Sequence, residues 1–223
     1  MKSKKKIILI AAISVIAEKG YQESSIKDIA DKAEISVGSI YSYFKNKQEI
    51  LAEIYQHISS QQFITTQMLL KMDEYDAIHK LYATIAGMLW SYSKEPELTL
   101  ILYVKSLGID LTVERTYFDI YDKAAKGVAD MINAFQKMGL CNITNADYAA
   151  TGFLKVLEGM AVQWIREGQK SKIEDVAIWC IEYNCNALSI EYDLEEMKIF
   201  VKELWNRQVF EKLMEEEHKN EGE

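Results

Sequence analysis

At 223 residues with 49% apolar content, the chain can bury a full core as one large or two small domains, and one Pro with ten Gly leaves long windows suited to helix. The net charge of −8 argues against nucleic acid only until it is divided: residues 1–50 hold nine Lys and six acids, a net of +3, while residues 51–223 hold 17 basic and 28 acidic residues. No apolar run nears the ~18 residues of a membrane span, and three Cys (141, 180, 185) and three His (57, 79, 218) lack metal spacing, so no metal, cofactor, catalytic residue or membrane partner is expected.

The chain opens with Lys2, Lys4, Lys5 and Lys6 before IILIAAISVIA, residues 7–17, which imitates a secretory signal with Val15-Ile16-Ala17 as its cleavage site. Against that reading, Ala11, Ala12, Val15 and Ile16 form one helical face and Gly20 supplies a stop, predicting a helix over 3–19. Ser25 with Asp28 fits a capping box and starts a helix at about Ile26, in which Ile26, Ile29, Ala30 and Ala33 make an apolar stripe. Ser36 can cap a second helix after only Glu34 and Ile35, with Val37, Ile40, Tyr41 and Phe44 as its stripe and Ser36, Ser39, Ser42 and Tyr43 outward. Two helices so short and so close must cross steeply. The pattern is a helix-turn-helix, and it points to the major groove of DNA.

From Ile7 to Leu51 the chain resembles TetR-type transcriptional regulators, most specifically at IYSYFKNK, Ile40–Lys47, an ending of aliphatic, Tyr, two variable residues, Phe and then Lys. One departure is Glu34, where the family's turn usually carries Gly. The resemblance implies that Val37, Gly38, Ser39 and Tyr43 face base edges, and that Ser25, Lys27, Tyr41 and Lys47, with Ser36 beside them, approach phosphate or groove edges. Gly38 costs its helix about 1 kcal/mol against Ala, so close approach of DNA or close helix crossing must compensate.

Beyond Lys47, helices are expected over about 48–70 and 76–94, ended by Pro96, then in short pieces across 97–108, then over 112–138, stopped by Gly139. Thr144 with Asp147 should open a helix over 145–168, another should span 173–190, and Asp193 with Glu196 should cap a last one reaching Met214. The expected organisation is all-α: a helix-turn-helix head at 1–47, a helical ligand-binding and dimerisation domain at 48–214, and a frayed acidic tail at 215–223.

Aromatic residues with polar tips, Tyr103, Tyr117, Tyr121 and Trp164, are the candidates for orienting a small apolar or amphipathic effector. A stripe of Ala150, Phe153, Leu154, Leu157 and Ala161, and a second of Val176, Trp179, Tyr183 and Ala187, are the candidate dimer faces, since two such helices with their twofold mates make a four-helix bundle. Both sets read equally as the core of one subunit. The expected protein is a cytoplasmic homodimer that binds double-stranded palindromic operator DNA and is released by its effector. The alternatives are a constitutive DNA-binding dimer and, with residues 1–17 as a signal, a secreted helical binding module. An enzyme is disfavoured by the lack of any clustered nucleophile, acid and base.

Overall fold

The structure is a computed structural model that describes residues 4–56, 69, 71–101, 103 and 111–220. Among them all regular structure is helical: α1 Lys4–Lys19, α2 Ile26–Lys32, α3 Val37–Tyr41, α4 (47–56 in its described part), α5 Ala77–Lys94, α6 Pro96–Leu100, α7 Leu111–Lys137, α8 Ala146–Arg166, α9 Ile173–Leu188, α10 Leu194–Asn206 and α11 Val209–Asn220. The far end of the helix expected over 48–70 and most of the pieces expected across 97–108 lie outside the described residues.

The chain divides into two compact units, Met1–Ser60 with Glu95–Asp122, and Gln61–Lys94 with Lys123–Glu223. The first is larger than the head expected at 1–47, for a reason visible in its packing. Leu98 of α6 lies in one apolar cluster with Ile8, Ala12, Ile29, Ile40, Phe44, Ile50 and Ile54. Ile101 and Tyr117 share a second with Ile16, Tyr21, Leu51 and Tyr55. The predicted face of α1 is buried throughout, so the stretch that imitates a signal is core to this unit. Gly20 stops α1 at φ +82°, with its N–H bonded to the carbonyl of Ile16.

In the second unit α5 touches α8, α9 and α10 and is buried on most of its circumference, which explains its run of Leu81, Tyr82, Ala83, Ile85, Ala86 and Leu89. Gly87 is closely covered there: a Cβ would stand 3.0 Å from Leu69 Cδ1 and 3.1 Å from Phe210 Cε1, so either side chain would have to give by a few tenths of an ångström. Phe210 belongs to a segment that departs from expectation. The single helix predicted from Asp193 to Met214 is two, because Gln208 takes a left-handed φ of 52° and turns the chain between α10 and α11. The turn drives Phe210 into full burial, with ring centroids 5.7 Å from Trp90 and 5.2 Å from Trp205. Trp90 Nε1 and Lys94 Nζ then both donate to Glu211, at 2.9 and 3.0 Å. The tail expected to fray is helical to Asn220.

Two further expectations are corrected. The cap of α8 is Asn145, not Thr144: its Oδ1 accepts from the N–H groups of Asp147 and Tyr148, both at 3.1 Å, so a single side-chain cap one residue on stands in place of the expected box. The stripe of Ala150, Phe153, Leu154, Leu157 and Ala161 is buried within the single chain, as is Val176, so none of the six is available to a second copy. A helical period identifies the buried face of a helix but not what buries it, and here α5 and α9 reach α8 first. Trp179 and Tyr183, 51% and 56% exposed, and Ala187 do face outward from α9.

Candidate nucleic-acid interface

The helix-turn-helix is held by local polar contacts that the sequence specifies. Ser25 Oγ accepts from Asp28 N–H at 3.1 Å while the Asp28 carboxylate accepts from Ser25 N–H at 2.9 Å and from its hydroxyl at 2.5 Å, completing the capping box. Lys19 Nζ adds an ion pair with Asp28 at 2.6 Å. Hydrogen bonds from Lys19 and then Ser25 hold the Asp28 carboxyl down at about 2. The hydroxyl of Ser25, expected near phosphate, is therefore engaged in the cap, whereas Lys27 stands exposed.

Between α2 and α3 the chain makes a Schellman closure: Ile35 N–H bonds to the carbonyl of Ala30 at 3.1 Å and Glu34 N–H to that of Asp31 at 3.2 Å. Glu34 occupies the left-handed position of this motif at φ 55°, so the turn keeps its usual form and a glutamate bears the strain where glycine is favoured.

α3 is shorter than its expected stripe. Ser36 caps it by accepting from Ser39 N–H at 3.2 Å, and Ser42 already closes it. Only Ile40, and Phe44 from the turn beyond, reach the core. Val37 and Tyr41, expected to be buried with them, are 37% and 55% exposed, and Tyr43 is 44% exposed. Five residues of helix cannot carry a full buried stripe, and the surplus apolar surface faces outward. At Gly38 an added Cβ would meet only Ser36 Oγ at 3.9 Å, so no close helix crossing demands the glycine.

Lys47 departs most from its expected role at the phosphates. Its ammonium donates to the carbonyls of Tyr21 at 2.5 Å, Ser24 at 2.6 Å and Gln22 at 3.5 Å, and lies 4.2 Å from the Tyr21 ring centroid. Burial pushes this ammonium below the usual lysine range, and Glu23 and Asp28 pull it partly back. The side chain fastens the first turn of α4 to the loop between α1 and α2. No spacing in the sequence announces this, because the acceptors are backbone carbonyls. A second tie missed in the sequence is Lys5 Nζ to Glu53 Oε1 at 2.6 Å.

Three of the four effector candidates, Tyr103, Tyr117 and Tyr121, lie in the first unit, and Trp164 lies in the second. Tyr117 is buried in the second cluster of the first unit, its ring 6.2 Å from Tyr55 and stacked 6.0 Å from Tyr121, and Tyr103 packs on the same cluster. Trp164 lies in the other unit, with its indole N–H donating to the carbonyl of Ser171 at 2.8 Å. No group of three or more His, Cys, Asp or Glu able to hold a metal ion occurs among the described residues, and no helix among them is long and apolar enough to cross a membrane.

Residues 8–54 match the family model of bacterial regulatory proteins of the tetR family. A fatty acid metabolism regulator protein of Bacillus subtilis is 48% identical over 48 residues, 22% of this chain and 25% of that one. An uncharacterized HTH-type transcriptional regulator of Lactococcus lactis is 28% identical over 153 residues, 63% of this chain and 76% of that one. The chain spans between 18% and 36% of the first three curated relatives it matches. Among solved structures, the fatty acid degradation regulator FadR of Bacillus halodurans superposes with a TM-score of 0.75 at 16% identity, covering 86% of this chain and 99% of that one. FadR of Bacillus subtilis in complex with stearoyl-CoA superposes with a TM-score of 0.72 at 20% identity, covering 80% and 96%. At these identities the likeness is one of fold. Residues 8–54 thus carry the match to bacterial regulatory proteins of the tetR family, and the all-helical architecture that follows them shares its fold with these solved structures.

Proposed function

We propose that the protein is a cytoplasmic transcriptional regulator that binds palindromic operator DNA as a homodimer and is released by a small amphipathic effector. The observation that carries this reading is the outward face of α3, where Val37, Gly38, Tyr41 and Tyr43 are presented on a helix whose caps and turn are fully bonded. An exposed helix face of this width is what a major groove admits. One head at a net charge of +3 over residues 1–50 holds DNA weakly, and two heads on one dimer gain effective concentration.

For the dimer, the exposed side of α8 and α9 replaces the buried stripe: Trp179, Tyr183 and Ala187 on α9, and on α8 Tyr148, 79% exposed, with Gly152 and Gly159, where an added Cβ would meet nothing within 4 Å. Glycines with open space above them let a second helix approach closely. For the effector, long-chain acyl-CoA is the first class to test, because the neighbour that binds stearoyl-CoA shares the fold and the head's relative regulates fatty acid metabolism.

The test is selection of bound duplexes from a randomised library, followed by fluorescence anisotropy on the selected site and titration with stearoyl-CoA. The expected result is a twofold site bound by two chains and released by micromolar acyl-CoA. Failure to select any sequence refutes the DNA-binding reading, and a site that no amphipathic ligand releases leaves a constitutive binder.

A further inference from the structure

We infer that this head reads its half-sites through the 5-methyl groups of thymine, contacted by Val37 and the rings of Tyr41 and Tyr43, with no guanine read by a forked cation. The inference rests on the DNA-binding reading above and goes on to name the bases.

None of residues 1–114 is Arg, and residues 25–47 contain no Arg, Gln or His. The forked side chains that grip two atoms of guanine or adenine are therefore absent from the helix-turn-helix, except for Asn46. Asn46 is engaged elsewhere, its Oδ1 accepting from Glu49 N–H at 2.8 Å.

Hydroxyls are the next possible readers, and three lie on or beside α3. Ser36 Oγ accepts from Ser39 N–H and shares a hydrogen with Ser39 Oγ at 2.9 Å, while Ser42 Oγ donates to the carbonyl of Ser39 at 2.7 Å. Each hydroxyl is thus already committed to a bond that holds a five-residue helix together, and only its remaining hydrogen-bonding capacity is left for a base. What remains on the outward face is the isopropyl group of Val37, the flat surface at Gly38 and the two exposed phenol rings. Apolar groups of this kind find one apolar partner on a major-groove floor, the methyl of thymine. The lysines left exposed near this face, Lys27 and Lys45, supply charge for phosphate, which positions the head without choosing bases.

The full-length chain is first used to select duplexes from a randomised library. In the selected site each thymine is then replaced singly by deoxyuridine, which removes only the methyl, and each guanine by 7-deazaguanine, which removes only the N7 acceptor. We expect half-sites rich in A·T pairs, with two or more thymines per half-site whose demethylation weakens binding about fourfold each, the worth of one buried methyl group. Val37→Ala should weaken binding and abolish the deoxyuridine effect at one of those positions, and Val37 is exposed enough that the head folds without its methyls. Deoxyuridine without effect throughout, or a site governed by guanines sensitive to 7-deaza substitution, overturns the inference while leaving DNA binding standing. A library from which nothing is selected overturns both.

Discussion

Replacing Gly38 by Ala should make the head more stable and the regulator worse. The backbone of Gly38 is helical, and a Cβ built there has 3.9 Å to its nearest heavy neighbour, Ser36 Oγ, an ordinary contact. Nothing internal resists the methyl, so the loss of glycine's freedom in the unfolded chain stabilises the fold by about 0.4 to 1 kcal/mol. On the proposed DNA-binding reading the same methyl is added between α3 and the groove floor, and overpacking of that kind costs about 1 to 3 kcal/mol. With two heads the loss doubles, to roughly 30-fold or more in operator affinity at fixed salt. Urea unfolding followed by circular dichroism gives the first number and fluorescence anisotropy the second. Destabilisation would mean that the head itself needs the glycine. Stabilisation with unchanged affinity would place DNA elsewhere than on α3.

Lys47→Met should lower the unfolding free energy of the first unit by about 2 to 4 kcal/mol, since three carbonyls lose a charged donor and the Tyr21 ring loses its cation, and an unchanged urea midpoint would contradict the clamp. Glu34→Gly should stabilise the turn by about 1 kcal/mol without loss of DNA binding, because the left-handed φ is already in place. Asp28 has its carboxyl lowered from 3.8 to about 2 in the fold, so its contribution is complete above about 3.8 and is lost as pH falls toward 2. The acid limb of the stability curve should flatten over that window in Asp28→Asn, and a carboxyl titrating at its ordinary value in an NMR titration would refute the cap. Cys180 and Cys185 are fully buried and pushed up to about 12, so neither should react with a thiol reagent at pH 8 until urea unfolds the chain, as mass spectrometry of labelled peptides would record.

What the sequence disclosed was local. The α1 face, the Ser25–Asp28 box and the stops at Gly20 and Gly139 are each encoded within a turn or two of helix, and they stand as expected. The features it concealed depend on partners far along the chain or on backbone atoms. Val37 and Tyr41 match a buried period but lie on a helix too short to use it. Lys47 finds carbonyls more than 20 residues away. The stripe from Ala150 to Ala161 was legible as buried, but its spacing did not choose between a second copy and its own subunit, which is what buries it. Gln208 breaks a helix with neither Gly nor Pro, because the burial of Phe210 outweighs a left-handed turn. The aromatic candidates were ambiguous because a tyrosine suited to a ligand is equally suited to a core, and Tyr117 joined the cluster around Tyr55, with Tyr103 and Tyr121 packed on it.

The seating of Phe210 beneath Gly87 has a consequence for the order in which a ribosome delivers this molecule. The residues that fill the first unit's clusters end at Tyr121, so every side chain it needs has been synthesised when little more than half the chain exists. The second unit has no such head start: until Phe210 arrives, Gly87 is covered only from the side of Leu69, and Trp90 lacks the ring that packs 5.7 Å from it. The first unit is thus complete well before the second, and a stop codon placed just before Phe210 should yield a chain whose first unit folds while its second unit stays loose and exposed to proteases.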